Sequence, residues 1–415
     1  MPGGQAKARV LLFTDTLGDV NGVSRFVNDL IDRSAQAGRD LSVFTSTRMP
    51  VRSSAAILNF RPRFATAMPG YRHLEVACPP AREMLRTARA LAPTCIHVST
   101  PGPVGLVGRK AAKILGVPLV GVYHTDFPAY IEHLFNDAAL SWLCRSAMGR
   151  FYGAFDRVLT RSSHYTSELR GLGIDPARCR TLTAGIRTER FSPRFKDPEV
   201  WRPFGLPAQA VKVLYAGRVS VEKNLPMLAK VWRTCLPLLQ RRGIDARLVV
   251  LGDGPYREEM EEQLQGSSAA FLGFQTGRTL SSLYASSDLF VFPSVTDTLG
   301  QAVLEAQCSG LPALVSDVGG PRDIVHHGQT GFVASIARPD VWRDRLIALC
   351  MDASLRSDMS RAAAATAADR TFERSFAHFW QEHEAISGFP GSDGPEIPAA
   401  DRISTPSPGV CTVPA

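Results

Sequence analysis

Short apolar runs alternate with stretches of helical apolar spacing along most of this chain, the pattern of buried strands separated by covering helices. The run Arg9 to Asp15 (RVLLFTD) reads as an opening strand, followed by the turn TLGDVNGV and a helix from Ser24 to about Ala37. More strand-like runs follow at Leu41 to Thr45, Cys95 to Val98, Leu119 to Tyr123 and Arg157 to Thr160. This βαβ alternation predicts an α/β fold with a parallel sheet. After Phe191 the segment SPRFKDPEVWRPFGLPAQA, rich in proline and polar residues, marks a linker. The alternation then restarts, with strands at Val211 to Ala216, Arg247 to Leu251, Ala270 to Leu272, Leu289 to Phe292, Ala313 to Ser316 and Gly331 to Val333. Helices fill the gaps, including Asn224 to Gln240, Tyr256 to Gln265 and Gly300 to Ser309.

Two doubly wound, Rossmann-like domains are therefore expected, at residues 1–192 and 206–370. If they face each other, their carboxyl edges enclose a cleft suited to a ligand. A helix over 371–386 carries Phe372, Phe376, Phe379 and Trp380 on one stripe and must pack on something. The tail 387–415 is rich in proline and glycine and poor in apolar residues, and disorder is expected there.

Composition narrows the classes. With 45% hydrophobic and 21% charged residues, 415 residues can bury two cores. No apolar run reaches membrane-spanning length, and MPGGQAKARV lacks the apolar stretch of a secretory signal, so a cytoplasmic location is expected. The eight cysteines form no C-x-x-C pair and no zinc-like cluster, which argues against a structural metal. The net charge of +8 suits nucleic acid, anionic lipid or a phosphorylated ligand alike. Between Leu41 and Leu74 there is no acid, while Arg48, Arg52, Arg61, Arg63 and Arg72 alternate with apolar residues.

Candidate chemistry lies at the strand exits. Asp297, on the loop after Leu289 to Phe292, and Glu305, inside the next helix, can border one crevice, and ionised acceptors suit sugar and ribose hydroxyls. The free N–H groups around Leu299 to Ala302, Leu299 and Gly300 among them, would face phosphate there. Arg218 and Lys223 leave the strand Val211 to Ala216 on one loop, where two cations can stabilise a departing pyrophosphate without metal; no D-x-D triplet occurs. Gly217 and Gly252, at strand ends in YAGR and VLGDGP, permit close backbone approach or a tight turn equally well. His124 follows an apolar strand in VYHTDFP, and Asn21-Gly22-Val23 can aim helix N-terminal amides at a phosphate. The G-x-G-x-x-G fingerprint is absent after the first strand, against an NAD-dependent oxidoreductase. Taken singly, each of these residues is equally compatible with an exposed or structural role.

Together and in this order, GDVNGVSR, VYHTDFP, YAGRVSVEKNL, LGDGP and VTDTLGQAVLEAQCSGLP resemble the retaining group 1 (family 4) glycosyltransferases of GT-B fold, over about Val10 to Ile386. The similarity is greatest to the T-D-T subgroup that glycosylates lipids, including diacylglycerol glycosyltransferases and mannosyltransferases. The resemblance implies that Glu305 binds ribose, Asp297 holds sugar hydroxyls, and Arg218 with Lys223 clamps the diphosphate. It further implies that Gly22 brings its amide near the β-phosphate, that His124 touches the sugar near its sixth carbon, and that the last helix crosses back onto the first domain. The family more often has glutamate at the position of Asp297, and Asp323 in GGPRD stands where glutamate is common; Asp323 is left out of the expected site.

The expected reaction moves a hexose from a UDP- or GDP-hexose to a hydroxyl of a lipid or glycan acceptor, with retention implied by the resemblance and no cofactor or metal. Arg48 to Arg72 and an amphipathic helix over Ala139 to Tyr152 are candidate surfaces for acceptor and anionic membrane, although that helix can equally pack its aromatic face into the core. A nucleic-acid-binding protein would need aromatics on an exposed sheet face or a recognition helix, and neither pattern occurs, so no nucleic acid partner is expected. A sugar-nucleotide epimerase of the same fold remains the other enzymatic reading.

Overall fold

A computed structural model of the chain describes residues 7–19, 21–68, 71–128 and 137–389. The expected disordered tail, from residue 390 onward, lies outside them. The first lobe contains β1 (Arg9–Phe13), α1 (Gly22–Gln36), β2 (Asp40–Thr45), β3 (Ile57–Asn59), β4 (Phe64–Met68), β5 (Tyr71–Cys78), α2 (Ala81–Leu91), β6 (Cys95–Val98), α3 (Pro103–Leu115) and β7 (Leu119–Tyr123). It continues with α4 (Ala138–Tyr152), β8 (Arg157–Thr160), α5 (His164–Gly171) and β9 (Cys179–Thr181). A seven-stranded parallel sheet runs in the order β3-β2-β1-β6-β7-β8-β9, with β4 and β5 apart as an antiparallel hairpin.

The second lobe contains β10 (Val211–Ala216), α6 (Leu225–Arg241), β11 (Ala246–Leu251), α7 (Arg257–Gln263), β12 (Ala269–Gly273), α8 (Gly277–Ala285), β13 (Leu289–Phe292), α9 (Gln301–Cys308), β14 (Ala313–Ser316) and β15 (Gly331–Ala334). Its six strands, ordered β12-β11-β10-β13-β14-β15, are again all parallel. α10 (Pro339–Met351) and α11 (Ala353–Ala368) close it, and α12 (Phe372–Ile386) follows. Six strands, β6, β7, β8, β10, β13 and β14, coincide with the apolar runs that marked them, because a parallel strand covered on both faces is apolar throughout.

Elements less apolar than these were not apparent in the sequence. β3, at the sheet edge, the hairpin β4–β5 and the short β9 occupy segments with no continuous apolar run. The acid-free basic segment is correspondingly split. Phe60 is buried against Phe44, Arg52 pairs with Asp32 at 2.6 Å, and Phe64 is exposed beside the exposed Arg63. Up to Thr66 it is not one continuous docking face; the side chains of Met68, Tyr71 and Arg72 lie outside the described residues. α4 is split as well: Phe151 and Tyr152 at its end enter the core, whereas Trp142 is 69% and Leu143 58% exposed.

α12 lies on the first sheet. Phe372, Phe376, Phe379 and Trp380 pack with Leu12, Val120, Val122 and Leu159, each buried apolar side chain contributing about 1.5–3 kcal/mol. Polar contacts set its register: Arg39 pairs with Glu384, Arg157 with Glu382, and His378 Nδ1 accepts from the Thr183 amide at 3.1 Å. At the centre, His97 Nδ1 meets His383 Nε2 at 2.9 Å, while His383 Nδ1 lies 2.6 Å from the Phe379 carbonyl. With both rings neutral, His383 donates to the carbonyl and His97 donates to His383.

Burial holds His97 well below the usual imidazole range and pushes His383 down to about 4. Because the folded rings resist protonation, the unfolded chain takes up protons first as pH falls below about 6.5, and the associated stability is present above that pH and lost below it. The thermal midpoint should therefore be lower at pH 5.5 than at 7.5, and His383→Gln, which cannot accept the proton, should narrow the gap. Equal midpoints at the two pH values in the unaltered protein would show that the pair is not held neutral.

Candidate active site

The carboxyl edges of the two sheets meet, and the expected residues lie where they do. β10 ends at Ala216 and the chain turns through Gly217 towards Arg218. Across from it, a Cβ on Gly252, at φ +124°, would stand 2.0 Å from the Gly217 carbonyl oxygen, so glycine is required for the exits of β10 and β11 to pass. That contact accounts for Gly252 through backbone packing. The Tyr215 hydroxyl donates to the Arg218 carbonyl at 2.8 Å, fixing the loop while the Arg218 side chain stays exposed. A single 3-10 turn, Val221–Lys223, then aims Lys223 Nζ at Asp297 Oδ2, 2.7 Å away.

Asp297 sits on the loop between β13 and α9. Its carbonyl accepts from the Gly320 amide at 2.8 Å, and its backbone pairs with Thr125 of the first lobe. The next residue, Thr298, donates its hydroxyl to the carbonyl of His124. Gly300, at φ +79° and against Pro321, turns the chain into α9 and so lies outside the helix it was expected to begin. Leu299 and Gly300 thereby present the open N-terminal amides of α9 to the cleft.

Glu305, on the buried side of α9, is 4% exposed. Its carboxylate pairs with Arg25 of α1, in the opposite lobe, and accepts from the Tyr284 hydroxyl at 3.0 Å. Burial pushes its carboxyl above the usual range, and Arg25 and Tyr284 oppose that shift. Beside this pair, a Cβ on Gly22 would lie 3.1 Å from Gln301 Oε1, so the N-termini of α1 and α9 face each other. Asn21 caps α1 by accepting from the Ser24 amide at 2.8 Å. His124, at the exit of β7, lies edge-on to Phe26 with ring centroids 6.0 Å apart, and its Nε2 is enclosed. Burial, reinforced by the Arg161 charge, holds its imidazole well below the ordinary value.

The structure brings Lys223, Asp297, Glu305, Gly22, Gly300 and His124 to one interlobe boundary, with Arg218 on its rim. Both acids already have cationic partners, and the cation on Asp297 is the one expected at the diphosphate. Sequence reasoning missed several participants. Arg25 stands inside GDVNGVSR, yet only tertiary approach pairs it with Glu305. Tyr215 and Tyr284 end a stacked aromatic ladder, with Phe292 and Phe290 between them at centroid separations of 5.9, 5.9 and 5.8 Å. The two hydroxyls brace the cation loop and the buried acid from that ladder. Asp323, excluded at the sequence level, accepts from both the amide and hydroxyl of Ser163 at 2.8 Å, joining the lobes. Its position in GGPRD was the available signal.

Comparison with known proteins places this geometry. Residues 198–366 match the family of glycosyl transferases group 1, and residues 20–190 match glycosyltransferase family 4. A GDP-mannose-dependent alpha-mannosyltransferase of Mycobacterium tuberculosis is 30% identical over 77% of this chain and 82% of its own length. The sulfoquinovosyl transferase SQD2 of Arabidopsis thaliana is 35% identical over 65% of this chain, which spans only 52% of that relative. Among solved structures, Anabaena HepE in complex with UDP and glucose superposes with a TM-score of 0.70 at 19% identity, covering 92% of this chain and 100% of that one, which shows a shared fold. Two facing parallel-sheet lobes, the returning α12 and a mannosyltransferase relative at this coverage lead to one assignment: the chain belongs to the group 1 (family 4) glycosyltransferases, of GT-B fold.

Proposed function

We propose that this glycosyltransferase moves a hexose from UDP- or GDP-hexose to a hydroxyl of a lipid or glycan acceptor, with the anomeric configuration retained. The observation that carries this reading is the meeting of Lys223 with Asp297 beside the amides that open α9. A cation, an acid and a helix N-terminus suit, in turn, a diphosphate, sugar hydroxyls and phosphate oxygens. Relatives named for GDP-mannose, for sulfoquinovose transfer and as an alpha-monoglucosyldiacylglycerol synthase support a nucleotide-sugar donor and a lipid-like acceptor.

In the proposed reaction the bond from the anomeric carbon to the β-phosphate oxygen breaks while the acceptor oxygen bonds on the same face. The departing phosphate takes the acceptor proton, so no enzyme nucleophile is needed. Lys223 and Arg218 stabilise the charge that develops on the diphosphate, in place of a metal. Asp297 orients the sugar through its hydroxyls, and His124 borders it. Glu305 accepts from the ribose hydroxyls. Because it is already bonded by Arg25 and Tyr284 and is nearly enclosed, an arriving ribose displaces the more exposed partner, Arg25, whose side chain is 45% exposed.

For the membrane, the favoured surface is the outer face of α3 and α4. Arg109 of α3 stacks 5.1 Å from the Phe151 ring of α4, joining the helices. On α3, Leu106 and Ile114 are exposed along the same helix face as Lys110 and Lys113, and on α4 Trp142 and Leu143 are exposed. Among the described residues no helix is long and apolar enough to cross a membrane, so attachment through this face would be peripheral.

Lys223→Ala should lower turnover by about two to three decades with the fold retained; near-normal turnover would remove the diphosphate clamp. Tyr284→Phe leaves Glu305 with one protein partner fewer and should raise the KM for donor roughly tenfold with a smaller effect on kcat, and an unchanged KM would count against Glu305 as the ribose acceptor. In vesicle pelleting, anionic vesicles should retain more protein than neutral ones, and Trp142→Ser should weaken retention. Indifference to vesicle charge would sink the membrane assignment.

A further inference from the structure

One buried cation near the cleft has no role in the proposed reaction. Arg161 follows β8 directly and is 5% exposed. Among the described residues no acid accompanies it, and its enclosed Nη1 has no hydrogen-bond partner. Its guanidinium lies 4.5 Å from the centroid of the Phe26 ring, its one compensating contact among the described residues. Burial pushes its pKa down to about 10, so it stays charged at neutral pH.

A buried guanidinium is ordinarily matched by an acid, because removing it from water without a counter-charge is costly. Its neighbours are unmatched too. β7 and β8 pair with Tyr123 opposite Thr160, which sets His124 and Arg161 side by side at adjacent strand exits. His124 Nε2 and Ser162 Oγ are enclosed without hydrogen-bond partners among the described residues. Arg161 and His124 thus lie against the same Phe26 ring, with Ser162 next in the chain, and the planar fork of arginine suits an oxyanion.

We infer that Arg161, with His124 and Ser162, forms a receptor for an oxyanion substituent, a phosphate, sulfonate or carboxylate, carried by the donor sugar or by the acceptor at the point of transfer. The inference rests on the nucleotide-sugar reading above and narrows it to a charged substrate. The diphosphate is not the group in question, since Lys223 and Arg218 serve it from the opposite lobe. Arg161 therefore determines specificity, and without ligand its charge has no acid beside it among the described residues.

Thermal shift and calorimetry on the full chain test this with paired ligands at constant ionic strength. UDP and GDP report the nucleotide site. UDP-glucuronate against UDP-glucose tests a charge on the donor sugar; glycerol 3-phosphate against glycerol, each with UDP or GDP present, tests a charge on the acceptor side. One charged member should bind more tightly than its neutral counterpart, by roughly 10- to 100-fold. Arg161→Met should abolish that preference, keep the response to nucleoside diphosphate and, by removing an unpaired buried charge, melt no lower than the unaltered protein without ligand. Arg161→Lys, with the charge but not the fork, should give an intermediate preference. The inference falls if the unaltered protein treats charged and neutral members alike, a comparison that needs no variant, or if Arg161→Met keeps the preference. A failure of UDP and GDP to bind at all would instead overturn the nucleotide-sugar reading.

Discussion

A carboxylate buried where two lobes meet needs a cation, and in this protein the cation comes from the other lobe. Glu305 lies on the covered side of α9, where an unpaired ionised acid would cost several kcal/mol. Arg25 answers it from α1, and Tyr284 donates from below. The N-terminus of α1 must therefore reach the N-terminus of α9, and the other interlobe contacts follow: Thr298 on the His124 carbonyl, Asp297 against Thr125, Asp323 on Ser163. The acids suited to binding a ligand are also those that hold the lobes together.

The scaffold behind these contacts is stiff for separate reasons in each lobe. In the second, the aromatic ladder from Tyr215 to Tyr284 runs under the site and ends in two hydroxyls, one bracing the cation loop and the other the buried acid. In the first, α12 arrives from the second lobe and seals one face of the sheet through its aromatic stripe and a neutral histidine pair. The two segments that pass between the lobes are themselves bonded, with the Ile186 amide on the Arg370 carbonyl and the Phe372 amide on the Ile186 carbonyl. The chain thus crosses twice at one place, which limits how the lobes can move apart.

Arg25, Arg161 and Lys223 border the boundary and Arg218 its rim, with Arg25 paired to Glu305 and Lys223 to Asp297. Such a cleft favours a ligand that brings several negative charges: under the proposed function a ribose on Glu305 would compete with Arg25, whereas the proposed oxyanion at Arg161 would displace no acid among the described residues. Membership of the glycosyltransferases is consistent with that charge pattern, because a nucleoside diphosphate is such a ligand.

The sequence by itself determined the two-lobed α/β architecture, the places of the fully buried strands and the stripe on α12, since continuous apolar runs and helical spacing are local properties. It also marked Asp297, Glu305, Lys223 and His124, because strand exits in parallel sheets are where such residues collect. It did not show the hairpin β4–β5 or edge strand β3, whose residues form no continuous apolar run. Nor did it show which charges would be neutralised. Arg25 lies 280 positions from Glu305, and Lys223 lies 74 from Asp297. Arg161 read as one more arginine in a basic chain. Pairing, burial and the absence of a counter-charge depend on which strand exits and helix ends are brought together in space, and only the tertiary structure decided that.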